Sequence, residues 1–176
     1  MVAGTGQRRG ATAPLSAPCP RGAPAVVVHT PAQARAALET AGSGRGVLLL
    51  SAPAAAGSIG AAWFLALVAQ AVPPSLGAAG ERPVPPHWAA LDCGNAPGFA
   101  LAALRAGVRV LVLDPSVPAF PAVAAAAGEV GGEVWPERPP ALDLGRLDLR
   151  RLDGRGRGRL AEWLTGGAVT ASAGLG

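Results

Sequence analysis

Four short apolar runs in this chain each stop at a polar side chain. They are Ala25 to Val28 before His29, Val47 to Leu50 before Ser51, Trp88 to Leu91 before Asp92 and Cys93, and Val108 to Leu113 before Asp114. The residues at these stops are the ones placed to do chemistry. Cys93 is the candidate nucleophile, because a thiol between a strand end and a helix start has its thiolate stabilised by the helix dipole. His29 is its candidate base. The other histidine, His87, begins the run that leads to Cys93, and an extended chain puts about 20 Å between them. The competing explanation is structural: Cys93 as a small buried apolar residue and His29 as the end of a strand.

The segment from Ser51 to Gly60 is the candidate ligand loop. It leaves an apolar run and enters a helix whose unpaired amides favour an anion, with Ser51, Gly57, Ser58 and Gly60 as its contacts. Ala55, Gly57 and Gly60 have the spacing of a dinucleotide fingerprint in which alanine replaces the first glycine. Asp92 would then accept a ribose hydroxyl, although it lies farther along than the usual roughly 20 residues. Asn95 and Asp114 complete the ligand set. Asp92 and Asp114 would form an acidic pair if their strands were neighbours; otherwise each caps the loop that follows it. Small residues that simply allow a tight turn would explain the same loop without a ligand.

Several chemistries are excluded by what the chain lacks. All of its positive charge is arginine, so a lysine-dependent phosphate loop and a receiver-type phosphoacceptor site are both ruled out. Cys19 and Cys93 make neither a disulfide framework nor a metal-ligand pair, and no metal site is expected. The residues specify no cofactor.

Each apolar run is followed by an alanine-rich stretch that reads as helix. The first of these is the best signposted: Thr30 caps it, Pro31 suits its first position, Gln33 completes a capping-box spacing and Gly42 stops it. The helix after Ser58 is apolar nearly all round, so it is expected to be central or to meet a partner chain. A third helix runs from Gly98 to Ala106 and stops at Gly107. A fourth follows Ser116 and runs to about Ala127, and a last strand spans Glu133 to Trp135. The stretch from Pro73 to Pro86, rich in proline, glycine and alanine, reads as a connection.

Repeated β-α units predict a parallel sheet buried on both faces, with ligands at the carboxyl ends of its strands. The pattern resembles flavodoxin-like and Rossmann-like domains in architecture only. It implies an α/β three-layer sandwich of about five mostly parallel strands. In a flavodoxin-like order, 2-1-3-4-5, the first strand lies between the second and third, which would bring His29 near Ser51, Asp92 and Cys93.

The chain has 176 residues, 50% hydrophobic and 15% charged, which suits one domain with strands apolar on both faces. Residues 1–24 read as a disordered tail with no apolar segment for export, 25–138 as the domain, and 139–176 as a Leu/Arg-rich, partly disordered extension. The net charge is only +4 and the arginines gather at the two ends, so a nucleic-acid partner is not expected. No charge occurs between Arg45 and Glu81, but Pro53 and Gly57 interrupt that stretch, so a membrane span is not expected either. A reducing, cytoplasmic setting is the expectation.

Three functions remain. One is a small domain binding an anionic or nucleotide-like ligand at the strand ends. Another is a thiol-dependent enzyme using Cys93 with His29. The last is a non-catalytic scaffold that forms a homo-oligomer, or holds a protein partner, through the second helix or the C-terminal segment.

Overall fold

A computed structural model describes residues 18–41, 46–72, 84–147 and 154–166. Residues 1–17 of the expected 1–24 tail, the stop at Gly42, most of the 73–86 connection and two parts of the C-terminal extension, 148–153 and 167–176, lie outside them.

Six strands form one all-parallel sheet: β1 (Ala25–Val27), β2 (Val47–Leu50), β3 (His87–Asp92), β4 (Val110–Val112), β5 (Glu133–Trp135) and β6 (Ala141–Asp143). The first five correspond to the four apolar runs and the last strand read from the sequence. Their helices are α1 (Pro31–Ala41), α2 (Gly60–Ala71), α3 (Pro97–Ala106) and α4 (Phe120–Glu129), followed by α5 (Gly154–Leu164). The α1 cap forms as its residues require: Gln33 N donates to Thr30 Oγ1 at 3.3 Å. Its reciprocal bond falls one residue early, from His29 N to Gln33 Oε1 at 2.7 Å. α3 stops at Gly107, whose φ of 103° is open to glycine. α4 begins at Phe120 rather than after Ser116, whose amide donates instead to Asp114 Oδ1 at 2.8 Å.

The strand order is β5-β4-β3-β2-β1-β6, which differs from the 2-1-3-4-5 order. β1 lies between β2 and β6, and β2 separates it from β3. From β1 to β5 each new strand is added on the same side of the last. Since β-α-β crossovers are right-handed, this stacks the intervening helices on one face. The buried side chains of all five helices accordingly join one cluster with Val26, Leu49, Leu91 and Leu111. The other face carries Ala25, Val27, Leu48, Leu50, Trp88, Ala90, Val110, Val112 and Trp135.

That second face is buried without a described helix upon it, and chain geometry gives one reason. β5 and β6 are opposite edges of the sheet, which in a flat sheet would stand about 24 Å apart. The chain from Trp135 to Ala141 reaches at most about 22 Å even if fully extended. The sheet is therefore curled, helices outside, with Leu48, Leu50, Ala90 and Val112 on its concave side. Residues from Pro18 to Pro24 contribute a further layer there. Cys19 is buried in the concave cluster, and the Arg21 guanidinium lies 5.5 Å from the centre of the Trp135 ring.

Both ends assigned to tails thus contribute to the domain. β6 extends the sheet beyond β1, and Leu142, Leu144, Leu160 and Leu164 are buried in the helix-side core. The leucines among the charges supply that core, which a local reading of the charged residues obscured.

Candidate functional site at the carboxyl ends of the strands

Side chains alternate between faces along a strand, and this sorts the residues at the rim. Asp92 continues the concave row of Trp88 and Ala90, as His29 does for β1, Asp114 for β4 and Asp143 for β6. Ser51 and Cys93 continue the helix-side rows. The five rim residues read from the sequence therefore share one end of the sheet but fall on two faces of it.

Asp92 is the centre of the concave set. Its side chain is 5% exposed, a position that a carboxylate occupies only with partners. One oxygen, Oδ1, accepts from Ala54 N at 3.0 Å and from Gly94 N at 2.8 Å. The other pairs with the Arg138 guanidinium, whose second terminal nitrogen donates to Ser51 O at 3.0 Å. Ser51 is itself buried, and its hydroxyl accepts from Asp92 N at 2.9 Å while donating to Ala52 O at 3.1 Å. Three segments distant in sequence are tied together here.

The candidate loop owes its shape to the same carboxylate. Ala54 is left-handed, φ 52°, a conformation costing a residue with a side chain about 1–2 kcal/mol. Its amide bond to Asp92 offsets that cost. The following amides turn inward: Gly57 N donates to Ala54 O, and Ser58 N and Ile59 N both donate to Ala55 O. Ser58 Oγ donates to Ala55 O at 3.2 Å. A short 3₁₀ turn, Ala55–Gly57, thus separates β2 from α2, where a dinucleotide fingerprint enters its helix directly. The anion held by the Ala54 amide is the chain's own. Gly57 is exposed beside the Phe99 ring, Gly60 takes a left-handed φ of 71°, and Asn95 is exposed in the turn after β3.

Asp114 makes no pair with Asp92. It is exposed and caps its own loop through Ser116 N; the backbone and side-chain hydrogen bonds from Ser116 lower its pKa. Cys93 is 2% exposed in the helix-side core, and burial, with the nearby Asp92 charge, pushes its thiol up to about 12. His29 is not brought to it, because β2 lies between their strands and the two side chains belong to opposite faces.

His29 meets a residue that the sequence did not single out. Its Nε2 lies 2.9 Å from Asp143 Oδ1, which also accepts from Gly145 N at 2.8 Å. Arg146 stands 3.5 Å from the other oxygen. Burial works against the Asp143 charge, but the bonds from His29 and Gly145 and the positive charge nearby prevail, holding its pKa low. Gln33 Nε2 donates to Leu144 O at 3.2 Å, so α1 as well as the end of β1 is pinned to the segment at the end of β6.

Arg138 and Asp143 were the residues missed. Arg138 had one local signal: it sits among Pro136, Pro139 and Pro140, in a connection too short to wander. Among the described residues no group of three histidine, cysteine or acidic side chains is placed to hold a metal ion, and no helix is long and apolar enough to cross a membrane. The fold is an α/β domain built on a six-stranded parallel sheet. Comparison with protein-family models, curated proteins and solved structures finds no match.

Proposed function

We propose that the protein is a small-molecule binding domain, with its ligand seated at the concave mouth formed by the carboxyl ends of the strands. The observation that carries this reading is the Arg138–Asp92 pair. A buried ion pair is costly to assemble compared with apolar packing, and this one stands where parallel α/β sheets bind ligands. The Arg138 side chain is 26% exposed, so it bridges the buried carboxylate and the solvent. An anionic or nucleotide-like ligand is the chemistry that such a group recognises.

The test is a thermal-shift and calorimetric panel of nucleoside monophosphates, small dicarboxylates and inorganic phosphate. At least one should raise the Tm of the wild type and bind it saturably, and Arg138→Lys, which keeps the charge but loses the fork, should weaken that binding. A panel without a single saturable binder overturns the proposal. Gly57→Asp separates the loop from the mouth: repulsion at the start of α2 weakens binding only if the ligand extends onto the loop.

The geometry gives the thiol-enzyme alternative no support, since Cys93 and His29 lie on different faces. A scaffold role has one specific observation behind it. The chain has four tryptophans and three phenylalanines, and it leaves Trp63 on α2 48% exposed and Phe99 on α3 49% exposed, in the early turns of neighbouring helices. Exposed aromatics of this kind anchor protein contacts. Light scattering decides: a dimer that Trp63→Ser converts to monomer favours the scaffold, and a concentration-independent monomer counts against self-association. A cytoplasmic setting fits two free, buried thiols on opposite faces of the sheet.

A further inference from the structure

Two buried side-chain nitrogens have no hydrogen-bond partner among the described residues, His87 Nε2 and Trp135 Nε1. They differ in kind. His87 Nδ1 lies 3.0 Å from Pro85 O, so its proton sits there and Nε2 keeps a lone pair, at the amino end of β3 and away from the rim. Trp135 Nε1 is a donor only, in a side chain that can form no other hydrogen bond. Trp135 is 3% exposed and packs in the concave cluster.

Its place is what gives the orphaned donor meaning. Trp135 ends β5 and pairs with Val112, which pairs in turn with Asp92, so Trp135 and Asp92 stand in one row at the rim, on one face. Three residues later Arg138 reaches back to that row. Its bonds to Asp92 and Ser51 O each use one hydrogen of a terminal nitrogen. Its Nε–H and the second hydrogen of each terminal nitrogen remain. Asp92, an acceptor in this row, already takes hydrogen bonds from Ala54 N, Gly94 N and Arg138. The Glu133 carboxylate, also on β5, faces Arg21 at 3.7 Å. The exposed Asp114 carboxylate beyond the neighbouring β4 accepts from Ser116 N, and the Trp135 indole donor has no acceptor among the described residues. A buried donor without an acceptor costs stability that an apolar ring of similar shape would not, and such a group can be satisfied by an ordered water or by a ligand oxygen.

We propose that Trp135 Nε1–H and Arg138 together form an oxyanion site at the β5 side of the concave mouth, receiving the carboxylate or phosphate oxygens of a small ligand. The inference rests on the rim-binding reading above, and it adds the ligand's reacting group and a second recognition residue. Neutral polyols satisfy the indole donor but leave the guanidinium without the charge-assisted bond that its geometry favours.

The experiment follows the indole N–H signals of the full ¹⁵N-labelled chain, with the Trp135 signal identified by its loss in Trp135→Phe. Succinate and inorganic phosphate are titrated separately, with chloride at matched ionic strength as the control. The Trp135 proton should shift downfield saturably with one of the two anions and not with chloride, and the anion that saturates at the lower concentration identifies the carboxylate or phosphate source. Calorimetry should show that anion binding Trp135→Phe about tenfold or more weakly, the range for a hydrogen bond to a charged group.

Binding that depends on Arg138 but leaves the Trp135 signal and the Trp135→Phe affinity unchanged overturns this inference and leaves the rim reading standing. A Trp135 proton that exchanges magnetisation with water and ignores both anions shows a buried water only, and overturns it as well. If neither anion binds, the inference fails and the wider ligand panel alone judges the rim. Should Trp135→Phe not fold, its signal is assigned by elimination from the single phenylalanine variants of Trp63, Trp88 and Trp163, and the shift decides.

Discussion

Arg138 and Asp92 stand 46 residues apart in sequence, yet the guanidinium of one closes over the carboxylate of the other at the tip of β3. The connection between β5 and β6 must pass from one edge of the sheet to the other, and Arg138 is the residue by which it is fastened to the rim. This pair ties the candidate site to the integrity of the fold.

Removing Arg138 leaves Asp92 buried with two amide partners and no counter-charge. Arg138→Ala should lower stability by about 3 kcal/mol, near the lower end for breaking a buried pair because the arginine is partly exposed. Urea unfolding of Arg138→Ala, Asp92→Asn and the double variant checks this. The double variant should lose less than the sum of the two singles, and strict additivity would show that the pair does not interact.

Cys93 should not alkylate in the native state at pH 7 to 9, because its thiol is buried and its pKa is pushed up to about 12. Cys19 is raised to the same value by burial and the Glu133 charge. Both folded values lie above the ordinary 9.0, so the stability they contribute is fully present below pH 9 and declines as pH rises toward 12. Timed alkylation with and without denaturant reads the first effect, and alkaline unfolding of the two serine variants the second. A fast native reaction at pH 7 would restore the thiol chemistry.

Asp143 behaves in the opposite sense. Its folded pKa lies below the ordinary 3.8, so its contribution is present above that value and is lost as pH falls through the lower folded one. The side chain is a third exposed, which limits the contribution to about 0.5 kcal/mol. The protection factors of the β6 amides should fall on acidification below pH 4 ahead of those of β2 and β3. Asp143→Asn should remove that difference.

Gly145 lies against His29: a Cβ there would come within 2.7 Å of the imidazole Nε2. Gly145→Ala should push the ring off Asp143 at a cost of about 1 kcal/mol, the loss of a partly exposed hydrogen bond with local strain. The His29 ring signals in NMR should move while those of His87, at the other end of the sheet, stay fixed. Unchanged His29 signals would mean that the loop yields instead.

A chain ending at residue 140 should fail to fold cooperatively. It loses β6, α5 and the buried Leu142, Leu144, Leu160 and Leu164, each leucine contributing about 2 kcal/mol of burial. The sum rivals the whole stability of a typical domain. Circular dichroism and heat denaturation of the truncated chain decide, and a sharp transition would make the C-terminal segment an appendage after all.

How far the site could be read from residues is seen in Asp92 and His29. Both were legible as polar ends of apolar runs, and the carboxylate does cap the turn that follows it. Their partners were not legible. Asp143 lay in a stretch whose charges hid its leucines, and Arg138 becomes a partner of Asp92 only once the β5–β6 connection is known to cross the rim. Cys93 looked like a nucleophile because its position beside a helix start is local. Its burial depends on joining the helix-side core, which is not.

By itself the sequence determined the order and type of the elements from β1 to β5, since apolar runs, the Thr30 and Gln33 cap and the stop at Gly107 act over a few residues and mean the same in any arrangement. Tertiary structure decided the strand order, the curl of the sheet and the face on which each rim residue stands. Local propensities are indifferent to which strand lies beside which. That choice is made by the handedness of successive crossovers and by the short connection from Trp135 to Ala141, and it sends His29 to Asp143 and leaves Asp92 to Arg138.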